Sequence, residues 1–196
     1  MRQMESSPRE VEVKLSFDSA SAARRALERV GARPLTEREF EENVLFDRDE
    51  RPLQPESKLL RLRRVGTRAT LTYKAPVPGE FRHKVRREDE TRVEDPLATE
   101  RIFEGLGFTP TYRYQKFRSE FELGALHICL DETPLGCFVE LEGPAEEIDR
   151  AAERLGFSVD AYVRESYREL HERYAEERGE APGDLVFQTP PSTTTP

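Results

Sequence analysis

The sequence has no tryptophan, only two cysteines and no long run of apolar residues. Two cysteines, Cys129 and Cys137, give neither a disulfide framework nor the spacing of a zinc site, and their apolar neighbours predict buried, reduced thiols. No segment approaches the roughly 20 apolar residues that a membrane helix needs, and the N-terminus lacks the apolar core of a signal peptide. We therefore expect a cytoplasmic protein with no membrane partner.

Positive charge is not in excess either, because 39 acidic residues against 31 Lys and Arg give a formal net charge of −8. A general nucleic-acid binder is normally basic, so we expect no nucleic-acid partner, although the many bases can form local positive sites. The three histidines, His83, His127 and His171, are scattered, and structural or surface roles are predicted for them. The length of 196 residues suits one domain with a real core.

The middle of the chain alternates between strand-like and helix-like segments. Residues 1–8 are predicted to be a flexible lead, and the Pro/Thr-rich tail over 179–196 is predicted to be disordered, which leaves a domain over 9–178. Four helices are predicted, with starts at Pro96 and behind Pro144, and the last over 161–178. Eight strands, mostly neighbours in sequence, favour antiparallel pairing and are enough to close a barrel. The predicted fold is therefore α+β: an eight-stranded antiparallel β-barrel with helices packed outside.

The first strand, REVEVKL over residues 9–15, alternates Glu10, Glu12 and Lys14 with aliphatic residues. Because successive side chains of a strand point to opposite faces, one face is charged and the other apolar. The same pattern recurs in later strands with Arg61, Arg63, Lys74, Lys84, Arg86, Glu88, Glu90, Lys116, Arg118, Glu120, Glu122, Asp131, Glu140 and Glu142. One such strand alone is typical of a solvated sheet face. If helices cover the apolar faces of all of them, the charged faces must line the inside of the barrel.

A barrel lined with both acids and bases would be a water-filled tunnel suited to a polyanion bound together with metal ions. Lys and Arg form charge-assisted hydrogen bonds with phosphate oxygens, and clustered carboxylates are the hard ligands that Mg²⁺ prefers. The sequence contains no P-loop, Gly-rich phosphate cradle or Ser-His-Asp arrangement. Stabilisation of a reacting phosphate should therefore come from fixed positive charge and metal, not from a covalent nucleophile.

At this point the sequence resembles the CYTH family, which joins class IV adenylate cyclases and thiamine triphosphatases among the triphosphate tunnel metalloenzymes. The E-x-E-x-K signature is Glu10, Glu12 and Lys14. The segments that follow it in order are LLRLRR, LTYKAP, REDETRVED, YQKFRSEFEL, ICLDETPLGCFVELEG and SYRELH. The resemblance extends over about residues 9–174.

This resemblance implies an eight-stranded tunnel that binds a triphosphate with Mg²⁺ or Mn²⁺. The implied metal ligands are Glu10, Glu12, Asp131, Glu140 and Glu142. The implied phosphate-binding residues are Arg61, Arg63, Lys74, Lys116 and Arg118. The candidate catalytic residues are Lys14, Glu88 and Glu90. Ser166 and Tyr167 fit a Ser-Tyr motif of the cyclase-like branch.

The segments QKFRS and SYREL most resemble the cyclase-like branch of the family. That resemblance implies conversion of ATP to cyclic AMP and pyrophosphate. The close alternative is a triphosphatase, in which a metal-activated water hydrolyses tripolyphosphate, thiamine triphosphate or a nucleoside triphosphate. An alternative of another class is a binding module for nucleotides or polyphosphate that kept the tunnel and lost the chemistry. The expected partner is a small-molecule triphosphate. The last helix carries a stripe of Tyr162, Tyr167, Leu170 and Tyr174, which is typical of a helix that packs on the chain's own barrel. The sequence does not decide whether the chain forms a homodimer.

Overall fold

Nine strands and four helices make up the computed structural model, which describes residues 9–79 and 81–188. The strands are β1 (Arg9–Phe17), β2 (Arg33–Pro34), β3 (Glu39–Asp47), β4 (Leu59–Val65), β5 (Arg68–Pro76), β6 (Lys84–Val93), β7 (Thr109–Leu123), β8 (Leu126–Thr133) and β9 (Gly136–Glu142). The helices are α1 (Ala20–Arg29), α2 (Pro96–Gly105), α3 (Ala145–Arg154) and α4 (Tyr167–Glu177).

Eight of the strands close into a ring in the order β7-β3-β4-β5-β6-β1-β9-β8, and pairing between β7 and β8 completes the circle. Every ladder in this ring is antiparallel. The two-residue β2 is additional and pairs with Phe121 and Glu122 of β7. The predicted eight-stranded antiparallel barrel is therefore confirmed.

The helices pack on the outside of the barrel through narrow apolar stripes. α1 buries Ala23 and Leu27, and α3 buries Ile148 and Ala152. These stripes meet the apolar alternates of β1, β8 and β9, which include Val13, Leu15, Ile128, Leu130, Val139 and Leu141. Because the apolar alternates face the helices, the charged alternates of the same strands must face inward. None of the described helices is long and apolar enough to span a membrane.

Local start signals explain where three of the helices begin. The side chain of Ser19 caps α1 by accepting from the N–H of Ala22, and Asp95 caps α2 from the residue before Pro96. α3 begins directly behind Pro144, as predicted. Both cysteines are buried and free, which also agrees with the sequence prediction.

The start of α4 was predicted too early, because the helix begins at Tyr167 and not at residue 161. Ser166 and Glu169 form a reciprocal capping box there. The chain just before it is extended instead, and Val163 exchanges two backbone hydrogen bonds with Lys14, of 3.1 and 2.9 Å. Of the predicted tyrosine stripe, Tyr167 is buried with Leu170 against the barrel, whereas Tyr162 lies outside the helix.

The prediction that the tail is disordered is wrong for residues 184–187. The backbone of Leu185 bonds Arg113 and Gln115 of β7 in a parallel bridge, with both N···O distances at 2.9 Å. β8 pairs only with residues 117–123 of β7, so this earlier edge of β7 would otherwise carry unpaired backbone groups. The predictions for residues 1–8 and for the end of the tail from residue 189 lie outside the described residues.

Leu185 anchors this segment, because its side chain is 3% exposed in a cluster with Tyr112, Tyr114, Tyr167 and Leu170. Replacing Leu185 by Ala should lower the free energy of unfolding by about 2–5 kcal/mol, since a buried leucine leaves a cavity. The neighbouring Val186 is 39% exposed, and Val186→Ala should change it by less than about 0.5 kcal/mol. Urea unfolding of both variants would measure the difference, and equal midpoints would contradict the packing of this segment.

Candidate active site in the barrel bore

The bore of the barrel is a cavity of about 380 Å³ with a strongly charged wall. Its eight basic residues are Lys14, Arg61, Arg63, Lys74, Lys84, Arg86, Lys116 and Arg118. Its seven acidic residues are Glu10, Glu12, Glu88, Glu90, Glu120, Glu140 and Glu142. The structure thus brings every implied site residue to one cavity except Asp131.

Strand register places acids beside bases around the bore. β1 lies between β6 and β9, so that Lys14 stands opposite Glu140, and Glu12 stands opposite both Lys84 and Glu142. The Nζ of Lys14 is 3.3 Å from Glu140 and 3.5 Å from Glu12. Burial by itself would lower the pKa of Lys14, but these two carboxylates raise it above its ordinary value. Lys14 therefore stays protonated and contributes charge to the bore, not a general base.

The two carboxylates of the signature differ in how well they are compensated. Burial, with Glu12 and Glu88 nearby, raises the pKa of Glu10 to about 7, although Lys74 lies 2.5 Å from its carboxylate. Burial by itself would also raise the pKa of Glu12, but the charges of Lys14 and Lys84 outweigh burial and lower this pKa to about 2. Glu10 is thus the carboxylate of this pair that would gain most from a further cation.

Lys84 is a functional candidate to which sequence reasoning gave no role, although it belonged to the charged alternates. Its Nζ lies 3.1 Å from Glu12. Burial and the nearby charge of Lys14 lower the pKa of Lys84 to about 8. The charge of this wall therefore changes close to neutral pH.

Asp131 does not line the bore cavity, in contrast to the other implied metal ligands. It is fully buried, and its Oδ1 accepts from Arg118 Nε at 2.7 Å. Its Oδ2 accepts from Lys116 Nζ at 2.8 Å, Arg118 Nη2 at 2.6 Å and Tyr167 Oη at 2.7 Å. Both oxygens are occupied, so this placement differs from the implied role. Asp131 holds Lys116 and Arg118, two of the implied phosphate-binding residues, and ties α4 to them.

Glu41 is a second buried acid beside the bore, and the sequence analysis missed it. It is 3% exposed, lies 3.5 Å from Lys116 and 3.9 Å from Arg63, and faces Arg118 at 4.0 Å. Burial opposes ionisation, but these three cations hold the pKa of Glu41 well below its usual range. It stands on the inward side of β3, where alternation within EFEENVLFD was the available signal.

His127 also lies on the bore wall, in contrast to the structural or surface role that was predicted for it. Its Nε2 is 3.2 Å from Glu120, and its Nδ1 is 3.9 Å from Glu142. Contacts with Cys129, then Glu120 and Glu142, raise the pKa of His127. His83, by contrast, bonds Asp149 at 2.8 Å, and His171 bonds Tyr112 at 3.0 Å, away from the bore.

Two further cavities adjoin the bore. A side chamber of about 260 Å³ lies between the β3–β4 connection and α4, and shares Leu59, Arg86, Tyr114, Ser166 and Tyr167 with the bore. A second opening of about 600 Å³ shares Arg63, Glu90, Arg118 and Glu120 with it. The bore therefore connects with an apolar-edged chamber on one side and with a charged opening on the other.

Two arginines of the bore each have one buried nitrogen without a hydrogen bond within the part of the chain that the structure describes. Among the described residues, the buried Nε of Arg61 and the buried Nε of Arg63 have no hydrogen-bond acceptor. A buried donor without an acceptor is costly and is commonly found where a ligand supplies the missing atom. Because both Nε atoms are shielded from solvent, an anionic ligand would satisfy them only if the two side chains shift on binding.

The sequence that forms this closed, charged barrel matches a family model, the CYTH domain, over residues 8–167. The chain belongs to the CYTH domain family. No curated protein matches the sequence. The family resemblance stated from the motifs is therefore confirmed.

Several solved structures are similar to this CYTH chain. A Vibrio parahaemolyticus protein provisionally named an adenylate cyclase has a TM-score of 0.72 at 22% identity. The match covers 82% of this chain and 96% of the Vibrio chain. A Pyrococcus horikoshii protein has a TM-score of 0.67 at 25% identity, with coverages of 81% and 96%. A Hippeastrum protein, provisionally named an adenylyl cyclase and described with a dominant triphosphatase activity, has a TM-score of 0.58 at 16% identity, with coverages of 88% and 96%. These likenesses show the fold.

The CYTH family implies use of a divalent metal, and the donor chemistry of the bore fits one. Glu10, Glu12, Glu140 and Glu142 supply hard carboxylate oxygens on the adjacent strands β1 and β9. Within residues 9–79 and 81–188, no three such side chains are arranged to hold a metal ion. Their oxygens face cations instead, for example Glu140 towards Arg118 at 2.5 Å.

Asp131→Asn should lower the free energy of unfolding by about 3–5 kcal/mol, because it removes the charge that compensates buried Lys116 and Arg118. Chemical unfolding would measure the loss. The matched control is Asp49→Asn on the exposed β3–β4 connection, which should be within about 0.5 kcal/mol of wild type. Unchanged stability together with weakened Mn²⁺ binding would restore the metal-ligand role of Asp131.

Proposed function

We propose that this chain is a divalent-metal-dependent enzyme that acts on an organic triphosphate in the bore, with a class IV adenylate cyclase-like reaction. The observation that carries the proposal is the set of eight basic residues that converge on one cavity. Two of them, Arg61 and Arg63, also have a buried Nε without a hydrogen-bond acceptor among the described residues. Such a set of fixed cations suits a ligand with several anionic groups along its length.

Binding would proceed by an exchange of partners. In the ligand-free bore, carboxylates hold the cations: Glu10 faces Lys74 at 2.5 Å, and Glu140 faces Lys14 at 3.3 Å. Phosphate oxygens of an entering triphosphate would take over Lys74, Lys116, Arg61, Arg63 and Arg118. The displaced carboxylates of Glu10, Glu12, Glu140 and Glu142 would then be free to hold Mg²⁺ or Mn²⁺. When bound, such an ion neutralises phosphate charge and polarises the phosphorus–oxygen bonds.

The remaining candidate residues have supporting roles in this proposal. Lys14 remains charged and helps to neutralise the phosphates. Glu88 lies 3.1 Å from Lys74, and Glu90 accepts from Thr72 at 2.9 Å, while Arg61 donates to the same threonine. Glu88 and Glu90 therefore orient the cations that would contact substrate.

The side chamber supports a substrate with an organic group. Its volume of about 260 Å³ and its mixed wall, with Leu45 and Phe46 beside Gln54 and Arg168, suit a group that is part apolar and part polar. If that group occupies the chamber, the phosphate next to it lies at the junction with the bore. The ribose 3′-hydroxyl of ATP would then be close to the α-phosphorus, which is the geometry that cyclisation requires.

The second candidate is hydrolysis, and the charged opening favours it. This opening shares Arg63, Glu90, Arg118 and Glu120 with the bore, so water could reach a phosphate group held by these arginines. The same cations would stabilise charge in either reaction. Cyclase and triphosphatase would therefore differ in which nucleophile is in line with phosphorus.

A product assay tests the proposal. Purified protein with Mg²⁺ or Mn²⁺ should convert ATP to cyclic AMP and pyrophosphate, with tripolyphosphate and thiamine triphosphate assayed in parallel. Glu10→Gln combined with Glu12→Gln should reduce turnover by about 100-fold or more with the fold intact. The matched control is Glu28→Gln with Glu153→Gln, two exposed helical glutamates, which should keep full activity.

Each other result of these assays would identify an alternative function or contradict the proposal. Orthophosphate without cyclic AMP would identify the triphosphatase alternative. Tight triphosphate binding without product would identify the binding module. No binding at all would contradict the proposed function.

Lys84 predicts a pH dependence of binding. Because its pKa is lowered to about 8, Lys84 is protonated below pH 8 and neutral above it. The bore therefore loses one positive charge as the pH rises through 8, and affinity for tripolyphosphate should fall several-fold between pH 7 and pH 9. Lys84→Arg stays charged over this range and should show a smaller fall in calorimetric titrations. The ionisation of tripolyphosphate is common to both proteins, so equal falls would contradict the role of Lys84.

A further inference from the structure

Tyr114 is a buried residue of the bore wall to which no motif gave a role. It lies on β7, is 8% exposed, and borders both the bore and the side chamber. Its Oη accepts a hydrogen bond from Arg61 Nη1 at 3.2 Å. A phenol can accept and donate at once, and no acceptor for its proton lies within the part of the chain that the structure describes. The hydroxyl therefore has a donor to offer to a ligand.

The charges around Tyr114 strengthen this donor. Burial alone would raise the pKa of the phenol, but Arg61, Lys116 and Arg63 outweigh it and lower the pKa. A more acidic hydroxyl donates a stronger hydrogen bond, especially to an anionic oxygen. The surroundings thus favour a phosphate group as the acceptor.

The backbone and ring of Tyr114 are held from several sides. β3 pairs Asn43 with Tyr114, and on the opposite edge Leu185 bonds the residues just before and just after it. The ring stacks on Tyr112 at a centroid distance of 6.1 Å and contacts Tyr167 at 6.2 Å. A donor fixed in this way needs little reorganisation when a ligand arrives.

We propose that the Tyr114 hydroxyl is a substrate-binding group, which donates a hydrogen bond to the phosphate chain where the bore meets the side chamber. The inference rests on the proposed function, because it requires phosphates in the bore. Arg61 would keep its bond to the phenol oxygen while the phenol proton turns to the ligand. The phosphate nearest the organic group would then be recognised by a neutral donor in addition to the surrounding cations.

Tyr114→Phe is the direct test, because it removes only the hydroxyl and keeps the ring. Calorimetric titration with tripolyphosphate should show a loss of affinity of about tenfold or more, as for a hydrogen bond to a charged group. The matched control is Tyr112→Phe on the same strand, whose hydroxyl bonds His171 at 3.0 Å outside the bore. That variant should bind as wild type does, and thermal unfolding would show that both remain folded.

A double-mutant cycle separates direct contact from an effect through Arg61. In an Arg61→Met background, Tyr114→Phe should still weaken binding about tenfold if the phenol contacts the ligand. Loss of that effect would mean that Tyr114 only positions Arg61, which would overturn the inference. Wild-type protein that fails to bind tripolyphosphate would instead contradict the proposed function. Wild-type binding with an unaffected Tyr114→Phe variant would contradict this inference alone.

A spectroscopic measurement covers the case in which Arg61→Met binds too weakly to titrate. The chain has six tyrosines and no tryptophan, so its near-ultraviolet difference spectrum reports tyrosine environments. Saturating tripolyphosphate should produce a tyrosine difference band in wild type and Tyr112→Phe that is reduced in Tyr114→Phe. An identical band in all three proteins would overturn the inference.

Discussion

The most deeply buried charges inside the barrel must neutralise one another, because they are shielded from water. Lys14 and Lys116 are each 2% exposed, Glu41 is 3% exposed and Asp131 is fully buried. Isolated charges at such depth would cost several kcal/mol each, so each needs a close partner of opposite sign. Strand register supplies these partners: it sets Lys14 of β1 opposite Glu140 of β9, Glu41 of β3 opposite Lys116 of β7, and Arg118 of β7 opposite Asp131 of β8. This requirement ties the barrel's closure to its chemistry, since a shift of one residue would turn the charged set outward.

Alternation within single strands predicted all the Lys, Arg and Glu residues that line the bore. It also included Asp131 and Glu122, which do not line the bore, and it gave no role to His127 or Tyr114, which do. The period of two in REVEVKL separates its faces, and the apolar stripes of α1 and α3 decide which face points outward. What alternation could not give is the pairing of Lys14 with Glu140, because those residues lie far apart in sequence. Asp131 shows the same limit. It stands on an inward face, but only the pairing of β7 with β8 brings Lys116 and Arg118 around it.

The C-terminal part of the chain shows two different causes of error. The capping box of α4 was readable as Ser166 followed by Glu169, and it places the helix start at Tyr167. Residues 184–187 read Asp-Leu-Val-Phe, and these three consecutive apolar residues were a strand-like signal that the Pro/Thr-rich composition of the tail as a whole concealed. Their order comes from tertiary structure: β7 is longer than β8 and leaves an edge that Leu185 completes. Composition describes a segment's own tendencies and not the partner that the fold provides.

The same C-terminal elements hold several cations of the bore in place. Tyr167 of α4 donates to Asp131, which orients Lys116 and Arg118, while Leu185 flanks Tyr114, which bonds Arg61. The cations are thus fixed by groups that a triphosphate would not displace, in contrast to the glutamates of the wall. Two layers follow from this: an outer layer that keeps the cations in place, and an inner layer of carboxylates that can change partners. Cyclisation and hydrolysis would both use these two layers in the same way. The residues of the side chamber and of the charged opening would therefore decide which of the two reactions takes place.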